Sequence, residues 1–253
     1  MQHSSLKGKV ALVTGSSRGI GFNIARALAG AGCDLVVTSR SQSDCEKAAA
    51  RINEKTGRKV LAVESDISNL SRIKKLFDST IDEYNKLDIL VNNAGVAITE
   101  KAEKITEKEW DKVISVNLKG VFFCAQQAGI NMKKNNGGKI INISSIFGQI
   151  AEKMISPYCA AKGGVNQLTR ALALEWARYD IQVNAICPGY IKTSLNAEEL
   201  ENEKFYNHII NKIPAKRLGK PEDIEKAAVF LASKASDYMT GQFLTIDGGW
   251  TSK

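Results

Sequence analysis

Residues 9–21 read Lys9-Val10-Ala11-Leu12-Val13-Thr14-Gly15-Ser16-Ser17-Arg18-Gly19-Ile20-Gly21. The apolar run predicts a buried strand, and the glycines after it predict a turn into a helix. Glycine in such a turn lets the backbone approach a pyrophosphate, and the following helix aims its first N–H groups at the anion. The glycines are spaced four and then two residues apart, unlike the commonest fingerprint, G-x-G-x-x-G. A plain turn is the alternative, but at the first strand of an α/β chain we expect a phosphate site, formed by Gly15, Ser17, Arg18, Gly19, Ile20 and Gly21.

Short apolar strands alternate with amphipathic helices along the rest of the chain. The further strands are predicted at 34–38, 60–63, 89–91, 139–143, 181–186 and 243–246, with helices between them, including one long helix over 107–133. Strands that alternate with helices favour a parallel sheet covered on both faces, the doubly wound Rossmann-type architecture. We therefore predict one α/β domain over residues 1–253, with about seven strands.

The composition limits the classes of protein to which the chain can belong. The chain has 253 residues, 43% of them hydrophobic, and no apolar run long enough to span a membrane. Its five cysteines have no metal-like spacing and favour cytoplasmic thiols, and we predict no metal. The formal net charge of +8 is spread among acidic residues, so a solvated surface is favoured over a nucleic-acid interface.

One polar, acidic segment breaks the alternation. Residues 190–214 follow a strand end and carry scattered aromatic residues. Such a segment predicts a lid over a pocket, and a surface helical excursion is the alternative.

Ser156-Pro157-Tyr158 and Lys162 suggest a catalytic helix. Serine before proline predicts a helix start, with Ser156 as the cap and Pro157 at the first helical position. Tyr158 and Lys162 are four residues apart and share one helix face. A nearby ammonium favours the phenolate, so we expect a lowered tyrosine pKa and a usable proton donor, with further help from a cationic cofactor ring or a helix terminus. Ser145, at the end of the 139–143 strand, is placed to face a ligand.

The cofactor is predicted from charge. An acidic residue at the end of the second strand would bind a ribose 2′-OH and repel a 2′-phosphate. That strand ends at Ser39 and Arg40, with no acid before Asp44. Arg18 and Arg40 suit a phosphate, so we predict NADP(H) over NAD(H), with a solvated strand-end arginine as the alternative for Arg40.

Together these residues resemble the short-chain dehydrogenase/reductase family from Lys9 to Trp250. The match includes the glycine loop, Asn92-Asn93-Ala94-Gly95, Asn117, Ser145, Tyr158-x-x-x-Lys162 and Pro188-Gly189. The resemblance implies catalytic roles for Asn117, Ser145, Tyr158 and Lys162. In that family the tyrosine is the general acid/base, the lysine binds the nicotinamide ribose, the serine holds the substrate carbonyl and the asparagine supports a proton relay. It also implies cofactor contacts at Asp66, Ile67, Asn93, Ala94, Gly95, Tyr158, Lys162, Pro188, Gly189, Ile191 and Thr193.

The resemblance implies interconversion of a secondary alcohol and a ketone, most similar to the sugar-acid and polyol branch, such as gluconate 5-dehydrogenases. The alternative is a 3-oxoacyl-[acyl-carrier-protein] reductase, for which Lys133, Lys134 and Arg178 would form the basic docking patch. A remote alternative is an NADP-binding regulatory protein without catalysis. The family is commonly tetrameric, so a homotetramer is also expected, with a small-molecule substrate and no nucleic-acid or membrane partner.

Overall fold

The computed structural model describes residues 5–193 and 196–252. Within these residues, seven strands form one parallel sheet in the order β3-β2-β1-β4-β5-β6-β7. The strands are β1 (Val10–Thr14), β2 (Asp34–Ser39), β3 (Val60–Glu64), β4 (Ile89–Asn92), β5 (Gly138–Ile143), β6 (Ile181–Pro188) and β7 (Phe243–Ile246). All five residues of β1 are buried, as expected of a central strand covered on both faces.

Nine α-helices connect or flank these strands in the described part of the chain. They are α1 (Gly19–Gly30), α2 (Gln42–Thr56), α3 (Leu70–Tyr84), α4 (Glu107–Ile114), α5 (Gly120–Lys134), α6 (Ser156–Trp176), α7 (Ala197–Glu201), α8 (Glu203–Lys212) and α9 (Pro221–Ala232). Local sequence explains several ends. The Asn69 side chain accepts hydrogen bonds from Ser71 N and Arg72 N at the start of α3, and Gly57 closes α2 in the left-handed conformation.

Two apolar clusters cover the two faces of the sheet. One contains Ile24 and Leu28 of α1, Ile52 of α2 and Ile224 of α9. The other joins residues of α3, α5 and α6, including Leu76. The strand order reverses between β1 and β4, which places a crevice for ligands beyond their carboxyl ends. The prediction of a doubly wound sheet of seven strands is thus confirmed. No helix among the described residues has the length and apolarity needed to cross a membrane.

The structure corrects two helix predictions. The long helix predicted over 107–133 contains a π-helical segment, Ser115–Lys119, between α4 and α5. The predicted cap of α6 is also wrong, because Ile155 is the residue before the first helical position and makes no side-chain cap bond. Ser156 and Pro157 are therefore the first two residues of the helix. Proline is tolerated there because an N–H at either position would have no partner inside the helix.

The predicted lid contains α7 and α8, with residues 194–195 outside the described part of the chain. It is a helical excursion, and it is attached to the domain by a parallel bridge between Ile191 and Gly219. Buried Ile209 and Ile213 pack it onto the rest of the molecule. Its movement as a lid stays a prediction.

Candidate active site

The three glycines of the 15–21 loop have different tasks. A Cβ at Gly15 would lie 2.8 Å from Ala94 Cα, and one at Gly21 would overlap the Asn93 side chain, so both are required by close packing on the β4 loop. Gly19 has φ +61° and its Cβ would meet only Thr193, at 4.0 Å. Gly19 therefore borders an open gap between the glycine loop and the segment after β6. A strand-to-helix turn with such a gap fits a bound pyrophosphate.

The β4 loop holds the glycine loop in place through Thr14. Its hydroxyl accepts hydrogen bonds from Asn93 N at 3.0 Å and Ala94 N at 3.1 Å. The Asn93 side chain donates to Thr14 O at 2.9 Å and Gly15 O at 3.1 Å. Asn93 and Ala94 thus support the cradle by positioning it. The side chain of Ile20, another predicted contact, packs against the core beneath the loop.

The adenosine side of the crevice is a cavity of about 630 Å³. Arg40, Asp66, Val96 and Ser115 are among its lining residues. Asp66 Oδ1 accepts hydrogen bonds from Ser68 N and Ser68 Oγ, which is the loop contact expected from its sequence position alone. Buried Ile67 lies beneath, where its carbonyl contacts the Gly120 position.

Two guanidinium groups suit a phosphate, Arg40 in the lining of this cavity and Arg18 in the glycine loop. Arg18 and Arg40 are exposed, and neither forms an ion pair with the carboxylates of the described residues. Ser39, at the strand end, uses its hydroxyl locally on Ser41 O at 3.2 Å. The residues present therefore fit a nucleotide that carries a 2′-phosphate, with the two guanidinium groups available to it.

The opposite side of the crevice is formed by the chain after β6. Gly189 N donates to Ile246 O at 2.9 Å, and a Cβ at Gly189 would lie 2.8 Å from Asp247 Cα. Thr193 N donates to Asn196 Oδ1, and Asn196 Nδ2 donates back to Ile191 O, both at 2.9 Å. These contacts fix the segment that contains Pro188, Gly189, Ile191 and Thr193, and Thr193 borders the gap above Gly19, which suits the nicotinamide end of a dinucleotide.

The three predicted catalytic side chains of β5 and α6 meet at the carboxyl end of the sheet. Ser145 forms a hydrogen bond with the Tyr158 side chain. The Lys162 ammonium lies 5.6 Å from the centroid of the Tyr158 ring and donates to Ile143 O at 2.7 Å. Lys162 is only 4% exposed, whereas Tyr158 is half-buried and accessible from the crevice. The Tyr158 hydroxyl is thus a proton donor, and the Ser145 hydroxyl beside it is a second hydrogen-bond donor for the same ligand atom.

The chain's own groups do not make the phenol acidic, so a lowered Tyr158 pKa with help from a cationic cofactor ring stays a prediction. Burial raises the pKa of Tyr158 to about 12, although the hydrogen bond with Ser145 acts in the opposite direction. Burial also lowers the pKa of Lys162 to about 8, because the ammonium is poorly solvated there. The chain's own groups thus keep the phenol protonated near neutral pH, which suits proton donation to a ketone.

Asn117 acts through the backbone of a neighbouring loop. It is buried in the π-helical segment, accepts from Val96 N at 2.8 Å and donates to Val96 O at 2.7 Å. A π-turn inside an α-helix is frequent at functional sites. The Asn117 side chain therefore holds the β4 loop in place, and a Cβ added at Gly95 would lie 3.3 Å from its Oδ1.

Asn166, which the sequence reasoning missed, positions the Ser145 loop. It accepts from Ser144 Oγ at 2.7 Å and donates to Gly148 O at 2.9 Å, one turn after Lys162 on α6. Thr14 and Asn196 were missed as well. The signal that would have identified Asn166 is a polar residue one helical turn after Lys162. For Thr14 the signal is a polar residue at the end of a buried strand.

A third apolar cluster lies beside Tyr158. Trp250 stacks on Tyr190 with ring centroids 5.3 Å apart, and Phe147 meets both rings edge-on. Ile209 and Ile213 of the predicted lid complete it, with Tyr158 packed against the cluster. We call this group the substrate-side cluster, since it borders the half of the crevice beyond the catalytic residues.

A doubly wound sheet with a glycine-rich first turn, and with serine, tyrosine and lysine converging at its carboxyl edge, defines an NAD(P)-dependent oxidoreductase of the short-chain type. The model of a family described as Enoyl-(Acyl carrier protein) reductase matches residues 15–251. The chain belongs to the short-chain dehydrogenase/reductase family. The predictions of this family and of an oxidoreductase are confirmed.

The similar proteins include enzymes of sugar acids. The 2-dehydro-3-deoxy-D-gluconate 5-dehydrogenase of Bacillus subtilis (strain 168) is 46% identical over 98% of this chain and 97% of its own length. The 5-keto-D-gluconate 5-reductase of Escherichia coli (strain K12) is 37% identical over 97% and 96%. A crystal structure of a gluconate 5-dehydrogenase from Burkholderia cenocepacia J2315, in complex with NADP and tartrate, has a TM-score of 0.95, with 37% identity over 99% and 98% of the two chains.

Proposed function

We propose that this protein interconverts the alcohol and ketone at C5 of a six-carbon sugar acid, with NADP(H) as cofactor. The observation that carries the proposal is the meeting of Ser145, Tyr158 and Lys162 beside the crevice. The relatives named above act on gluconate derivatives at position 5, which supports the substrate class.

The chain's residues have separate tasks in this reaction. Bound NADPH supplies the hydride that reduces the carbonyl carbon. Ser145 and Tyr158 donate hydrogen bonds to the carbonyl oxygen, where negative charge develops, and Tyr158 Oη releases its proton to that oxygen. Lys162 carries positive charge beside the phenol, which stabilises the phenolate that remains. Asn117 and Asn166 keep the neighbouring loops in position.

We expect the double variant Arg18→Gln/Arg40→Gln to lose at least about tenfold in affinity for NADPH, because two charge-assisted contacts to the 2′-phosphate are removed. Affinity for NADH, which lacks that phosphate, is expected to change less than about threefold. Titration of cofactor fluorescence measures both constants. The double variant Lys47→Gln/Lys55→Gln on α2, at two exposed positions and with the same loss of two positive charges, is the control. Equal losses for both cofactors would contradict the assignment.

The substrate class is tested by rates of NADPH consumption with the purified protein. We expect kcat/KM for 5-keto-D-gluconate to exceed that for an acetoacetyl thioester by at least about tenfold, because discrimination follows contacts made in the transition state. The reverse order would favour the 3-oxoacyl-[acyl-carrier-protein] reductase. Cofactor binding without turnover of any carbonyl compound would favour a regulatory protein.

One observation bears on the acyl-carrier alternative. The Lys133 ammonium lies 4.6 Å from the Tyr179 ring centroid and 5.6 Å from that of Trp176, while the Arg178 guanidinium lies 4.8 Å from that of Tyr179. These cations are thus already engaged with aromatic rings at the end of α6. Their positions are explained by local packing, with no need of an acidic partner.

The assembly and compartment form part of the same proposal. A largely apolar groove between α5 and α6, about 450 Å³, is lined by Phe122, Phe123, Gly164 and Leu168 among others, which supports a homotetramer built through these helices. All five cysteines are unpaired thiols, which supports a cytoplasmic protein. Residues 1–253 are proposed to form one domain, of which residues 1–4, 194–195 and 253 lie outside the described part. Light scattering measures the assembly, and a monomer would exclude the tetramer.

A further inference from the structure

We propose that Lys212 binds the carboxylate of the substrate, and that Glu152 is the partner which this carboxylate replaces. The inference rests on the proposed function, because it requires an acidic substrate. According to this inference, one ion pair at the border of the substrate-side cluster makes the enzyme prefer acids to neutral ketones.

The ion pair joins two segments that enclose the site. Lys212 is the last residue of α8, in the predicted lid, and its ammonium lies 2.8 Å from Glu152 Oε2. Glu152 belongs to the loop between Ser145 and Tyr158, and its carbonyl lies 4.0 Å from Cys159 Sγ, in the first turn of α6. The ion pair therefore lies close to the catalytic tyrosine, both in the sequence and in the structure.

The pair is accessible enough to exchange partners. The Lys212 side chain is 36% exposed and the Glu152 side chain 22% exposed. An ion pair this solvated contributes little net stability, so a second carboxylate can compete for the ammonium. His208 also acts electrostatically on Glu152, and Lys153 follows it in the chain, so the surroundings of this carboxylate carry positive charge.

The aromatic rings keep the ammonium in place during such an exchange. Lys212 Nζ lies 5.3 Å from the centroid of the Trp250 ring, which stacks on Tyr190. A cation over the face of an indole is attracted by the ring independently of its anionic partner. The ammonium is therefore held at the substrate-side cluster whether it binds Glu152 or a ligand.

The length of the substrate fits this placement. In a 5-keto sugar acid the carboxyl carbon is four bonds from the reacting carbon, a span of about 5 Å with C–C bonds of ~1.5 Å. Tyr158 packs against the substrate-side cluster, so the carboxylate of a substrate whose C5 is held at Ser145 and Tyr158 would lie at or beside that cluster. An ammonium there would favour the acid over a neutral compound of the same shape.

The experiment compares two variants that break the same ion pair from opposite sides. KM and kcat are measured for 5-keto-D-gluconate and for its uncharged methyl ester with wild type, Lys212→Gln, Glu152→Gln and Lys212→Arg. Lys204→Gln, an exposed position on the same helix, is the matched control for the loss of one positive charge. Thermal unfolding of each variant reports whether it is folded.

We expect Lys212→Gln to raise KM for the acid about tenfold or more and to leave KM for the ester within about twofold, because only the acid loses a charged contact. Lys212→Arg should keep KM for the acid within about threefold of wild type. Glu152→Gln should lower KM for the acid by about two- to fivefold, because the competing carboxylate is gone.

Three results would overturn the inference. The first is a wild-type enzyme that reduces the ester as efficiently as the acid. The second is a Lys212→Gln variant with an unchanged KM for the acid. The third is a rise in KM for the acid in Glu152→Gln, which would mean that the ion pair only fixes the lid. Failure of the wild type to reduce either compound would instead contradict the proposed function.

Discussion

Replacing Tyr158 with phenylalanine is expected to lower kcat for ketone reduction by at least about 100-fold, within the range for removal of a positioned proton donor. The variant removes only the phenol oxygen, and the ring keeps its packing against the substrate-side cluster. NADPH affinity should therefore change little. Steady-state rates and cofactor fluorescence measure the two quantities.

The same phenol makes the two reaction directions differ in their response to pH. Because burial raises the pKa of Tyr158 to about 12, the group is protonated near neutrality and ready for reduction. Alcohol oxidation needs the phenolate, so its rate should rise with pH. Tyr238→Phe, at a fully exposed tyrosine, is the control. A Tyr158→Phe variant with kcat within tenfold of wild type would remove Tyr158 from the mechanism.

Replacing Lys162 with methionine is expected to lower kcat by about 100-fold and yet to leave the protein at least as stable at pH 7. The loss of rate follows from removal of the positive charge beside the phenolate, comparable to loss of one preorganised stabilising group. Stability is retained because methionine fills similar space without a buried charge. The buried carbonyl of Ile143 loses its 2.7 Å hydrogen-bond partner, which offsets part of the gain.

The stability effect has a defined dependence on pH. The folded-state pKa of Lys162, about 8, lies below its ordinary value of 10.5, so between these values the unfolded chain binds the extra proton. The free energy of unfolding of the wild type should therefore rise with pH across this window, by up to roughly 3 kcal/mol from this group. Below pH 8 the penalty of charge burial is present in full.

Lys162→Met should lack this rise, so the stability of the wild type relative to the variant increases from pH 8 to 10.5. Unfolding midpoints of the two proteins in denaturant, measured at several pH values, test the difference. Lys47→Met, at an exposed lysine, should show no such change. Parallel curves for wild type and Lys162→Met would contradict the assigned pKa.

The sheet and many helices were predictable because their signals are local. The run Val10–Val13 is apolar throughout and forms a fully buried strand. Helices α3 and α9 lie between strands, as the alternation predicts, and their starts have local signals, since Asn69 caps one and Pro221 begins the other. The π-helical segment was not predictable, because a single π-turn is rare and the residues of Ser115–Lys119 carry no local signal that distinguishes it from an α-helix.

Features that depend on neighbours far along the chain were harder to infer. The pairing of Tyr158 with Lys162 follows from their spacing. The direction in which the Tyr158 pKa shifts depends instead on burial by segments that are distant in sequence. The contacts of Asn166 and Thr14 likewise join separate loops. The resemblance to the family supplied the predicted catalytic set, and packing decides how each of its members is held.

The substrate-side cluster is separate from the two clusters that cover the sheet. Its members come from the loop after β5, the segment after β6 with its two short helices, and the residues after β7. Changes there alter what the crevice accepts while the sheet and the glycine loop keep their packing. A lineage carrying this architecture can therefore acquire new substrates by exchanging a few peripheral side chains, with the inherited redox apparatus left intact.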